Sequence, residues 1–104
     1  MTRTLLALVA LCAMFTCSAL AAEWTGYVSD SKCGVAHNDG SAKSVACVKA
    51  CIKAGQKPVL VVGDKVVSIK NTAKVPANLY GLKVTVDGEM SGNAITINSI
   101  KKAT

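Results

Sequence analysis

Four side chains near the middle of this chain have the types and spacing of a soft-metal site. Cys33-Gly34-Val35-Ala36-His37 supplies a thiol and an imidazole four residues apart, and Cys47-Val48-Lys49-Ala50-Cys51 follows with two more thiols. Thiolate and imidazole donors suit Zn²⁺ and Cu⁺. If 47–51 is helical, Cys47 and Cys51 lie one turn apart on one side, with Cβ atoms ~5–6 Å apart. A disulfide needs a Cβ separation of ~3.5–4.5 Å. These two therefore do not bridge each other while the helix holds, but they can chelate one ion. Cys33 and His37, on a facing loop, complete a Cys3His set.

The same cysteines allow a different arrangement. Cys33 bonded to Cys47 or to Cys51 staples the loop to the helix and adds ~3 kcal/mol, leaving the third cysteine as a small core residue. For the resting, oxidised protein the staple has the edge, whereas the reduced protein is the metal-binding form. C-x3-C lacks the C-x2-C knuckle of zinc fingers, and His37 without its cysteine neighbours reads as an exposed loop histidine. Asp30, three residues before Cys33, reads as a turn residue and as an additional carboxylate donor.

Other chemistries find little support. The chain has no C-x-x-C-H haem signature, no G-x-S-x-G and no P-loop, and its six acids show no paired-carboxylate spacing. A thiol oxidoreductase calls for a low-pKa thiol in C-x-x-C, which is missing, so no enzyme is expected. Beyond residue 21 the only aromatics are Trp24, Tyr27 and Tyr80, too few and too scattered for a single-strand-binding face. The eleven lysines and six acids of that part give a net charge of +5 without arginine. Such diffuse charge marks a solvated surface, and nucleic acid is not an expected partner.

The cysteine chemistry depends on the compartment. Residues 1–21 run from a positive start at Arg3 through an uncharged apolar stretch, 5–15, to Ala19-Leu20-Ala21. This is the pattern of a secretory signal peptide cleaved after Ala21 or Ala22. The apolar run is too short to span a membrane, which takes ~20 residues, and Met14-Phe15-Thr16 before Cys17 is a poor lipobox. Cys12 and Cys17 leave with the leader. A single periplasmic or secreted domain, 22–104, then keeps Cys33, Cys47 and Cys51, in a compartment where disulfides persist. No stable membrane insertion is expected after cleavage.

The elements that must position these residues are mostly strands. Residues 22–104 hold twelve Val and five Ile against three Leu, and β-branched side chains favour strands. Strands are expected over 24–29, 58–62, 65–69, 82–90 and 94–100, with Gly63-Asp64 turning one hairpin and Ser91-Gly92-Asn93 the other. Gly88 is read as a bulge inside its strand. Val84, Val86, Ile95 and Ile97 fall on one face, and Thr85, Thr96 and Asn98 on the other. A helix is expected over 44–54, with Val45, Val48 and Ile52 inward, Ser44 as N-cap and Gly55 at the stop. Residues 71–80 read as a helical turn or loop broken near Pro76. Five strands split one, two and two imply a mainly β fold: a small five-stranded OB-like barrel with one Cys-bearing α-helix inserted after the first strand. A plain α+β sandwich is the alternative.

With these residues in view, the chain resembles a family of small secreted bacterial proteins of unknown function. The family start, G-x-V-x-D-x-x-C-G-x-x-H, is matched from Gly26 through Val28, Asp30, Cys33 and Gly34 to His37. Its C-x-x-x-C and following glycine match Cys47, Cys51 and Gly55. Its V-x-V-x-G matches Val84, Val86 and Gly88, and its closing T-I-x-V-x-S-I matches 94–100, with Ala94 departing at the first position. The resemblance covers nearly all of 23–101 and implies an OB-like fold but no activity. The expected function is an exported binding module holding copper or zinc through Cys33, His37, Cys47 and Cys51. The competing expectation is a disulfide-stapled structural or interaction domain that binds an extracytoplasmic ligand on its barrel face.

Overall fold

The computed structural model describes residues 20–36 and 39–104. Its five strands are β1 (Leu20–Asp30), β2 (Pro58–Val62), β3 (Lys65–Ile69), β4 (Lys83–Ser91) and β5 (Ala94–Lys102). One α-helix, α1 (Ala42–Lys53), lies between β1 and β2. The strands close in the order β1-β2-β3-β5-β4. The fold is thus the expected mainly β, OB-like barrel with a helix inserted after the first strand.

Closure depends on β1 being long enough to serve two neighbours. Its first part, Leu20 to Tyr27, pairs antiparallel with β4, and its last part, Tyr27 to Asp30, pairs antiparallel with β2. Gly26 sits at this handover, where a Cβ would collide with the carbonyl oxygen of Val61. β1 also begins earlier than the expected 24. Leu20 and Ala21, assigned by the leader reading to the cleaved segment, pair with Met90 and Glu89. Residues 1–19, and with them the rest of the leader, lie outside the described residues.

The barrel seam opposite β1 is short. β3 and β5 run parallel and pair only through Ser68–Ala94 and Ile69–Ile95. Asn71 extends it with its side chain: Nδ2 donates to the Ile97 carbonyl and Oδ1 accepts from the Ile97 N–H, each at 2.8 Å. One amide thereby satisfies both backbone groups of a residue that has no strand partner on that side.

The core follows the period of two expected of half-buried strands. Val84, Val86, Ile95 and Ile97 are all buried and pack with Val28, Leu60, Val67 and Leu79, while Thr85 and Thr96 are only half-buried. The β4–β5 register slips between Asp87 and Gly88. A Cβ on Gly88 would meet the Thr96 carbonyl oxygen, so the bulge needs glycine for close backbone approach. The link 71–80 consists of two 3-10 turns, Thr72–Lys74 and Ala77–Leu79, on either side of Pro76.

Candidate metal centre

The centre is built where the end of β1 meets α1. Asp30, the last residue of β1, is fully buried. Its Oδ1 accepts hydrogen bonds from the backbone N–H of Lys32 at 3.0 Å and of Cys33 at 2.9 Å. Turning the chain back on an aspartate in this way is a local alternative to continuing the strand. Ser29, also buried, donates from Oγ to the Gly34 carbonyl at 2.6 Å. The Cys33 carbonyl accepts from Ala36 N–H at 3.1 Å and opens a single 3-10 turn, Gly34–Ala36. Three side-chain-to-backbone bonds thus fix Cys33.

The other two thiols are fixed by the ends of α1 and by one tight contact. The N-cap is Ser41, whose Oγ accepts from Ser44 N–H at 3.1 Å. Ser44, expected as the cap, lies inside the first turn, buried, and donates from Oγ to Asp39 Oδ1 at 2.9 Å. Asp39 also accepts from Ser41 N–H at 3.0 Å. Its carboxyl is held below the ordinary 3.8, chiefly by that Ser41 N–H and then by the Ser44 hydroxyl. At the far end Gly55 takes φ +114, Gly55 N–H bonds to the Ile52 carbonyl and Gln56 N–H to the Cys51 carbonyl. This Schellman stop is the one expected of Gly55. Of the three expected inward residues, Val48 is fully buried, and Val45 and Ile52 are half-buried. The helix sits directly on Gly81, where a Cβ would lie 2.6 Å from the Val45 Cα and where φ is +81.

These constraints bring three of the four expected ligands together. The Sγ atoms of Cys33, Cys47 and Cys51 all lie within 4.8 Å of one another, and each residue is half-buried. An ion bonded to sulfur at ~2.3 Å with tetrahedral angles holds its sulfurs ~3.8 Å apart, so closing the trio on a metal takes a contraction of no more than ~1 Å. All three cysteines are free thiols, and the Cys33 bridge expected of the oxidised protein is not formed in this structure. His37, the fourth expected ligand, lies outside the described residues.

The surroundings favour cation binding over bare thiolates. Burial pushes the Cys33 thiol above its ordinary 9.0, and the charges of Asp30 and then Cys47 add to this. Cys51 is raised in the same way, by burial first, then by the Asp30 charge and by its hydrogen bond with Cys47. Negative charge therefore accumulates unfavourably here, and a bound cation would relieve it. Asp30 has a double role that the spacing only half announces: it turns the loop and it charges the cluster. The legible signal is D-x-x-C, the interval at which an aspartate side chain reaches the N–H of the third residue on.

Comparison of the chain with protein families, with curated proteins and with solved structures gave no match. Among the described residues no helix is long and apolar enough to cross a membrane.

Proposed function

We propose that the protein is a small exported binding module that holds one soft transition-metal ion, Cu⁺ or Zn²⁺, through the thiolates of Cys33, Cys47 and Cys51. The observation that carries this is the convergence of three sulfurs from two separate elements within 4.8 Å. His37 is the fourth ligand, four residues beyond Cys33, and the leader-like start of the chain supports a location outside the cytoplasm. Thiolate sulfur is the donor that selects these ions over harder ones. The role proposed for the site is to hold the ion rather than to turn over a substrate.

The same proximity favours a second reading. Cys33 and one of the two helix thiols can also pass two protons and two electrons to a disulfide oxidant by thiol–disulfide exchange, forming a Cys33 disulfide that leaves a single thiol and a stapled domain without metal.

Titration of the reduced protein with Cu⁺ or Zn²⁺ against a chromophoric chelator separates the two. The proposal expects one ion per chain, loss of binding in Cys51→Ser, and a smaller loss in His37→Ala, where water can take the fourth place. No bound ion, or undiminished binding in a Cys47→Ser, Cys51→Ser pair, would overturn the proposal, and absence of metal together with one free thiol in air-exposed protein would give the case to the staple.

A further inference from the structure

The opposite flank of α1 carries a second feature. Successive helical residues turn by about 100°, so Lys49 and Lys53 project from the side away from Cys47 and Cys51. Between them and the 3-10 turn Ala77–Leu79 lies a cavity of about 500 Å³, lined by Lys49, Ile52, Lys53, Ala77, Asn78 and Tyr80. That volume falls within the roughly 300–1,000 Å³ of small-molecule sites. Ile52 and Tyr80 are half-buried, and the other four are exposed. The groove therefore combines an apolar, aromatic interior with a cationic wall one helical turn long.

Charge gives an independent observation. The elements that line the groove, α1 (Ala42–Lys53) and residues 77–80, hold three lysines, Lys43, Lys49 and Lys53, and no acid. An ordinary solvated face intersperses both signs. Here neither wall supplies a carboxylate to neutralise Lys49 and Lys53. The missing partner charge is negative, and the space beside it is apolar.

We infer that this groove binds a small amphipathic anion: a carboxylate on an apolar body about the length of a medium-chain acyl group. Lys49 and Lys53 hold the carboxylate by charge-assisted hydrogen bonds, with the Asn78 amide beside them, and Ile52, Ala77 and Tyr80 cover the chain. The site uses none of the thiols, so it stands whether or not the metal binds.

The test is an amide NMR titration of the protein with sodium decanoate below its micelle threshold, with decanol and butyrate as separate arms. Decanoate should shift the amides of 49–53 and 77–80 saturably. Decanol lacks the charge and butyrate lacks the body, and each should bind about tenfold more weakly or worse. The Lys49→Gln, Lys53→Gln pair, at exposed positions, should lose a similar factor for decanoate and leave decanol unchanged. Ala77→Glu, also at an exposed position, should repel the anion without disturbing the barrel. The inference is overturned if the shifts map elsewhere, if decanol matches decanoate, or if the double variant binds decanoate as well as the parent. A concentration-dependent dimer at sedimentation equilibrium that the Ala77→Glu change dissolves would overturn it too, by assigning the groove to a second copy of the chain.

Discussion

The β4–β5 hairpin and the insertion between β1 and β2 are held by different physics. The hairpin places Val84, Val86, Ile95 and Ile97 in the core, each contributing on the order of 1.5–3 kcal/mol through burial. The insertion, residues 31–57, buries one apolar side chain of its helix, Val48. Elsewhere it is tied by polar bonds: Asp30 and Ser29 to the Cys33 loop, Ser41 and Asp39 at the start of α1, and Ser31 Oγ, which accepts from Lys57 N–H at 3.0 Å and donates to Gln56 Oε1 at 2.8 Å. This fold keeps its stability and its chemistry apart. The thiols lie outside the hairpin core, and closing them on an ion needs a contraction of no more than ~1 Å.

The largest effect is expected from a charge in the hairpin core. Val84→Asp should unfold the domain, because an unpaired buried charge costs several kcal/mol against a marginal total. Thr85→Asp, on the other face of the same strand, should shift the thermal midpoint only slightly. Equal effects would erase the distinction between the regions. The next largest belongs where the regions meet. Gly81→Ala adds a Cβ against the Val45 backbone at a positive φ, and should cost about 2–4 kcal/mol. This change should also lower metal affinity, since it displaces the helix that carries Cys47 and Cys51.

A purely local change in the insertion should be smaller. Ser41→Ala removes the helix cap and should cost about 1 kcal/mol in denaturant unfolding. The smallest effect on stability is expected from Asp30→Asn, because the amide oxygen can still accept from Lys32 and Cys33 while the charge is lost. Thiol chemistry should respond instead. Cys33 and Cys51, raised in part by that charge, should alkylate severalfold faster at pH 8 in the variant. The sign with pH follows. Thiols raised above 9.0 favour the folded, metal-free protein while they are protonated, and this contribution is lost as the pH climbs through their raised values. Metal affinity runs the other way and falls as the pH drops, because the ligands must lose their protons.

The contrast also explains what was legible in the sequence. Alternating Val and Ile with glycine at 88 and 92 read directly as a bulged hairpin, since period and turn chemistry are local signals. The cysteine trio was legible because helical spacing puts Cys47 and Cys51 on one side and leaves only the loop to close. Several features were not. Ser41 and Ser44 stand one turn apart in the same composition, and only the Asp39 contact decides which one caps. The start of β1 at Leu20 is masked by its resemblance to a leader end. Asn71 reads as loop, because its partner Ile97 lies 26 residues away. Asp30 reads as a turn residue, because nothing local says that it is buried against the thiols.

The central claim, that Cys33, Cys47 and Cys51 act as one site, is tested most directly by X-ray absorption at the metal edge of reduced protein loaded with one equivalent of Zn²⁺. The account predicts a shell of three sulfurs at about 2.3 Å with one lighter donor. A shell of nitrogen and oxygen alone, or a protein that emerges from gel filtration without metal, would contradict it.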